Sequence, residues 1–312
     1  MLEHIGFYTL TDKRARSANQ HTPVSRAEVI LTSGCNFKCP YCRELKDNIS
    51  GVLNINDVKK MIDIWAKDGL VNIRFSGGEP TTYPHLLDAV KYAKLRGAKR
   101  VALSTNGSAD TKLYQQLIDA GVDDFSISLD ACCSSTGDKM AGVPGQWQKV
   151  IDNIRYISKQ VYTTVGVVLT KDNLVEAKDT IILAHELGVA DIRVISAAQE
   201  NFNTIPDLPQ DVIDVHPILK YRINNLANNR KVRGLQDCDT HKCPLVLDDV
   251  AVAKNFHFPC IIYMRERGNP IGKIGEDSVS SVQNGMMGTT LIKILSVKLI
   301  ALMSVLIIII NG

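Results

Sequence analysis

From Ala27 onward, short apolar runs rich in β-branched residues alternate with longer stretches whose apolar positions recur every three or four residues. The short runs, at residues 27–32, 71–76, 100–104, 124–129, 162–169 and 191–196, predict six strands. Between them, residues 56–68, 83–96, 110–120, 147–160 and 173–187 predict helices. Asn56-Asp57 supplies a capping start for the first helix, and Gly121 stands where a helix stop is expected. Such alternation implies parallel strands joined by crossovers. Eight units close a barrel, so six predict an α/β fold of the partial (β/α)6 TIM type, with functional residues at the C-terminal strand ends.

The pattern also divides the chain. Residues 1–25 read as an N-terminal extension and 26–200 as the barrel. Residues 201–275 read as a C-terminal extension, with a linker at 201–211, a helix at 212–228 and irregular chain from 230. Residues 276–312 form an atypical apolar tail.

Composition narrows the class without naming it. With 312 residues and 45% hydrophobic content the chain can bury one large core, or a core and a small appendage. A formal charge of +3 gives no strong nucleic-acid or membrane-surface signal. The first twenty residues lack a continuous apolar core of signal-peptide type, so a cytoplasmic location is expected. In that reducing setting the eight cysteines read as thiols and metal ligands rather than as disulfides.

Three of them are spaced Cys-x3-Cys-x2-Cys, as Cys35, Cys39 and Cys42. Three thiolates can hold three corners of a [4Fe-4S] cubane and leave the fourth iron open. An open iron can bind a cofactor directly and deliver an electron into it, whereas a fully ligated cluster normally only passes electrons. Zinc is the alternative, although structural zinc sites pair such a half with a second one further on.

Ordered motifs follow the triplet: Gly77-Gly78-Glu79-Pro80 after the second strand, Ser104-Thr105-Asn106 after the third, and Ser126-Ile127-Ser128-Leu129-Asp130 along the fourth. Together, over residues 26 to 200, they resemble the radical S-adenosylmethionine (SAM) superfamily. The resemblance implies an enzyme in which SAM binds the open iron and is cleaved reductively, giving a 5′-deoxyadenosyl radical that abstracts hydrogen from a substrate. It also implies an electron donor such as flavodoxin or ferredoxin. Glu79 would accept the SAM ammonium, with Gly77 and Gly78 giving close backbone approach. Ser104, Thr105 and Asn106 would hold the SAM carboxylate or ribose; an Asx-type turn is the plainer reading. Ser126, Ser128 and Asp130 alternate, so they share one strand face. Tyr41 and Phe37 would shield the cluster or pack the adenine, and Lys38 and Arg43 would add positive charge. Residues 165–170 and Asn173 are expected adenine contacts, and Arg193 and Ser196 expected carboxylate contacts.

Two rival functions stand beside this one: a glycyl-radical-activating enzyme acting on a partner polypeptide, and a non-catalytic iron-sulfur or zinc-binding module. The substrate, whether small molecule, peptide or nucleotide, is not readable. Cys132 and Cys133 read as ordinary thiols, with substrate-side chemistry as the alternative. Cys238, Cys243 and Cys260 resemble the start of a C-terminal auxiliary [4Fe-4S] region, as in molybdenum-cofactor-synthesis and peptide-modifying family members, with zinc or inert thiols as the alternatives. In the tail, Lys298 leaves too short an apolar run for a membrane span. The favoured reading there is a shifted reading frame. With free choice of wobble bases, the codons ending in the first two bases of Val297, Ala301 and Val305 become cysteine.

Overall fold

The computed structural model describes residues 2–7, 24–45, 47–197, 200, 202, 204–230, 249–258, 260–265, 268–270 and 272–273. Cys238, Cys243 and the tail lie outside them.

All six expected strands form: β1 Arg26–Thr32, β2 Asn72–Gly77, β3 Arg100–Thr105, β4 Asp124–Ser128, β5 Tyr162–Leu169 and β6 Asp191–Ser196. They pair in parallel with each sequence neighbour. The expected helices also form, as α1 Ile55–Asp68, α2 Leu86–Leu95, α3 Thr111–Asp119, α5 Trp147–Ile157 and α6 Ala177–Glu186. α1 starts one residue earlier than the capping signal suggested, because Asn54 is the cap; its side chain accepts the Asn56 N–H at 2.8 Å. Gly121 follows α3 with φ +104°, the left-handed geometry anticipated for it.

The C-terminal extension departs from expectation. The single helix at 212–228 is two, α7 Gln210–Val215 and α8 Pro217–Ala227, because Pro217 has no N–H to continue the first and is well suited to start the second. Residues read as irregular contain β7 Asp249–Ala253, β8 Phe256–Phe258, the short helix α9 Ile261–Arg265 and β9 Gly272–Lys273. β7 adds in parallel to β1, giving the open order β6-β5-β4-β3-β2-β1-β7-β8-β9. A five-residue strand carries too little periodicity to be read alone; its place is set by pairing with β1. The helix α4 Ser134–Ala141 was also unforeseen, since its serines, threonine and glycine give it little apolar pattern.

The two strand faces differ sharply. Outward positions such as Val29, Leu31, Phe75, Leu103, Phe125, Ile127, Val165 and Val167 are fully buried beneath the helices in one continuous core. Inward positions are polar: Glu28 with Ser76, Arg74 with Ser104, and Ser126 with Arg193. Parallel strands buried on both faces are normally apolar on both. Here the inner face borders a cavity.

Candidate functional site

A cavity of about 280 Å³ opens at the C-terminal strand ends. Its lining brings together Cys35, Cys39 and Cys42 with Tyr41, Phe37, Gly77, Gly78, Ser104, Thr105, Asn106, Ser126, Ser128, Asp130 and Arg193. Residues from four separate sequence motifs therefore meet at one place, as strand-end placement predicts.

The cysteine loop is seated by two close backbone approaches. A Cβ on Gly78 would stand 2.2 Å from the Gly34 carbonyl oxygen, so only glycine lets β2 pass beneath the chain entering Cys35. Gly142, at φ +64°, lies under the same loop, where a Cβ would meet the Lys38 oxygen at 2.3 Å. The Lys38 N–H donates to the Ala141 carbonyl at 2.8 Å, which fixes the loop on the end of α4. Lys38 and Arg43, expected to add positive charge, do not line the cavity.

The thiols have a graded environment. The Phe37 N–H donates to Cys35 Sγ at 3.3 Å. Burial pushes the Cys35 thiol up, and pushes Cys39 up to about 12 with a further contribution from Asp130. Thiols so shifted are protonated in the metal-free chain, and a bound cation would take the place of those protons. The donor set fits a [4Fe-4S] cluster: three soft ligands on one cavity wall, glycines where backbone must pass close, and an N–H directed at a ligand sulfur.

Tyr41 and Asp130 adjoin Cys39 in the same lining. The Tyr41 hydroxyl donates to Asp130 Oδ2, and Asp130 Oδ1 accepts the Val168 N–H at 2.7 Å. Burial raises Asp130 to about 6 despite these donors.

Glu79 stands apart from the lining. Its carboxylate is 0% exposed and is not part of the cavity lining. Oε1 accepts from the Thr81 N–H, the Thr81 hydroxyl and the Thr105 hydroxyl, and Oε2 from the Asn106 N–H. It holds the β2 and β3 loops together rather than presenting an acceptor to a ligand ammonium. Asn106 forms the Asx turn that was the plainer reading of it, and it also reaches the cysteine loop. Its Oδ1 makes an Asx turn to the Ser108 N–H, and its Nδ2 donates to Asn36 Oδ1 at 2.8 Å, beside Cys35. The expected adenine contacts at 165–170 and Asn173 are also absent from the lining. Val165, Val167 and Leu169 face the outer core, and the Asn173 amide donates to the Asp130 and Val168 carbonyls. Ser196 likewise stays outside, its hydroxyl donating to the Ala197 carbonyl and accepting the Phe202 N–H.

Sequence reasoning missed Glu28, Met140, Trp147 and Arg265, which also line the cavity. Glu28 had a signal: a carboxylate inside an apolar strand, at the parity of Ile30. Arg265 had none. Its guanidinium, from α9, donates to the Arg43 and Gly77 carbonyls at 3.0 Å each, joining the C-terminal extension to both the cysteine and glycine loops. Cys260, just before α9, is 5% exposed, and its Sγ accepts the Tyr263 N–H at 3.4 Å.

Residues 29–184 match the family model described as Radical SAM superfamily. The chain is 36% identical over 166 residues to an AdoMet-dependent heme synthase of Methanosarcina barkeri, covering 51% of this chain and 46% of that protein. It is 29% identical over 178 residues to a probable GTP 3',8-cyclase of Metallosphaera sedula, covering 55% and 56%. The matches thus span about half the length of these curated relatives. Among solved structures, Streptococcus suis SuiB aligns with a TM-score of 0.61 at 13% identity, covering 86% of this chain and 68% of that one. AnSMEcpe with bound AdoMet aligns with a TM-score of 0.58 at 15% identity, covering 85% and 81%. At such identities these two speak to the fold alone.

Proposed function

Because this chain belongs to the radical SAM superfamily, we propose that Cys35, Cys39 and Cys42 hold a [4Fe-4S] cluster and that the protein cleaves SAM reductively to abstract hydrogen from a substrate. The observation that carries this is the meeting of the three thiols, Gly77-Gly78 and the β3 and β4 strand ends around one cavity. When bound, the cluster and SAM supply one-electron chemistry that ends in a carbon radical.

The chain's own residues bind, orient and exclude. The Phe37 N–H hydrogen-bonds a ligand sulfur, which tunes the electron affinity of the bound group. Gly78 lets the chain pass close under Cys35, and the Glu79 carboxylate keeps the Thr105-Asn106 loop beside it. Ser104, Ser128 and Arg193 place hydroxyls and a guanidinium on the cavity wall, suited to the carboxylate and ribose of SAM. Phe37, Leu129, Met140 and Trp147 give that wall apolar area that keeps water from a reactive radical. The proposed reductant is a flavodoxin or ferredoxin, in the cytoplasm. Among the described residues no helix is long and apolar enough to cross a membrane. An auxiliary cluster at Cys238, Cys243 and Cys260 is part of the same proposal.

The test is iron and sulfide content after anaerobic reconstitution, with 5′-deoxyadenosine measured after SAM and dithionite are added. The native chain and a Cys35→Ala, Cys39→Ala, Cys42→Ala variant are compared. Loss of about four irons and of deoxyadenosine in the variant is expected. Iron persisting in the variant would support the auxiliary cluster, and iron without SAM cleavage in the native chain would overturn the catalytic reading.

A further inference from the structure

Away from the cavity, a second group of metal-ligating side chains, two thiols and a carboxylate, forms where two strand-end loops meet. Cys132 and Cys133 lie between β4 and α4, and Glu176 ends a 3-10 turn, Leu174–Glu176, that follows β5. None of the three lines the cavity. The thiols of Cys132 and Cys133 each donate to Glu176 Oε2 at 3.7 Å, and the three ligand atoms all lie within 4.8 Å of one another. In a tetrahedral zinc site, with bonds of about 2.3 Å to sulfur and about 2.0 Å to oxygen, neighbouring ligand atoms stand about 3.5 Å apart. The spacing is therefore close to that of a formed site.

The carboxylate is also aimed. The Thr136 hydroxyl donates to Glu176 Oε1 at 2.8 Å, which leaves Oε2 toward the sulfurs. The turn carrying Glu176 is anchored by Asn173, whose amide donates to Asp130 O at 2.7 Å and Val168 O at 2.8 Å. Two thiol sulfurs thus converge on one carboxylate oxygen, with the Ser135 hydroxyl 3.2 Å from the Cys133 sulfur, in an arrangement open to a divalent cation.

We propose that Cys132, Cys133 and Glu176 bind one zinc ion. Two adjacent thiolates select a soft or borderline cation over magnesium or calcium, and three protein ligands leave one position to solvent. All three side chains are partly exposed, so the ion has a way in. Binding releases the two thiol protons to solvent and moves no electrons. The ion would join the β4 and β5 loops on either side of Asp130, bracing the rim of the barrel without touching the cysteine triplet.

The test uses the full-length, reduced chain with its triplet filled by anaerobic iron and sulfide reconstitution, then equilibrated with zinc and desalted. The native chain should retain about one more zinc per chain than a Cys132→Ser/Cys133→Ser variant. Cobalt added in place of zinc should give a sulfur-to-cobalt charge-transfer band that this variant lacks. Glu176→Gln keeps the side-chain volume and removes the anionic ligand, and it should weaken zinc binding at least about tenfold. If the double variant fails to fold, Glu176→Gln alone decides. Equal zinc in native and double-serine chains, or unchanged affinity in Glu176→Gln, would overturn the proposal. Zinc retention is read independently of SAM cleavage, so the failure of one reading leaves the other standing.

Discussion

The Glu79 carboxylate accepts the backbone N–H of Asn106 at 2.7 Å, and Asn106 in turn donates its side-chain amide to Asn36, next to Cys35. A motif residue that invites assignment as a cofactor ligand is thereby tied to the cysteine loop through two hydrogen bonds. Its role is positional, and this separates two measurable outcomes.

Glu79→Ala would take the shared acceptor from four donors of the partly buried β2 and β3 loops. About 3 kcal/mol of stability should be lost in the metal-free, SAM-free chain, read by urea denaturation. A carboxylate whose only duty was to bind SAM would show no loss there, so an unchanged midpoint would refute the positional role.

Gly78→Ala places a methyl group 2.2 Å from the Gly34 carbonyl. Neither group is the end of a flexible side chain, so the backbone entering Cys35 must move. The expected result is a chain that folds but loses most of its iron and sulfide after reconstitution. Native iron content in the variant would show that the two loops can separate without disturbing the thiols.

Arg265→Met removes both hydrogen bonds from α9 to the cysteine and glycine loops. Hydrogen bonds from a charged donor contribute about 1.5–3 kcal/mol each. We expect lower stability, by about 3 kcal/mol, and faster loss of iron to a chelator. Chelation at the native rate would mean that the C-terminal extension does not steady the triplet.

His257 lies on β8 with its ring centroid 6.3 Å from that of Trp65, and among the described residues its buried Nε2 has no hydrogen-bond partner. Burial pushes its pKa down from 6.5 to about 4. For a depressed folded-state pKa, the contribution to stability is complete above the unfolded value of about 6.5 and is lost as pH falls through about 4. At most about 3 kcal/mol is involved. His257→Phe should flatten the acid limb of the stability profile between those values; identical slopes for the two chains would refute the assignment.

What the sequence determined by itself is what short-range pattern encodes. Six strands and their helices were legible because outward residues such as Val29 and Leu31 alternate with inward ones such as Glu28, and because Asp110 and Gly121 punctuate a helix, whereas the cap of α1 is Asn54 and not the Asn56-Asp57 pair. The cysteine triplet and the Gly77-Gly78 pair were legible because the chemistry needs those residue types at fixed local spacing. The shared face of Ser126, Ser128 and Asp130 followed from strand geometry alone.

Only the tertiary structure decided the remainder, because those features depend on which distant segments the sheet places side by side. β7 is a strand because β1 offers it a parallel edge, something a five-residue run cannot announce. Glu79 turned away from the cavity because four donors from two loops surround it. Arg265 reaches Gly77 across 188 positions, and Cys132 reaches Glu176 across 44, by pairings that no local periodicity records. Side-chain type was fixed by sequence, but the partner, and so the role, was fixed by the order in which parallel strands bring their C-terminal ends together.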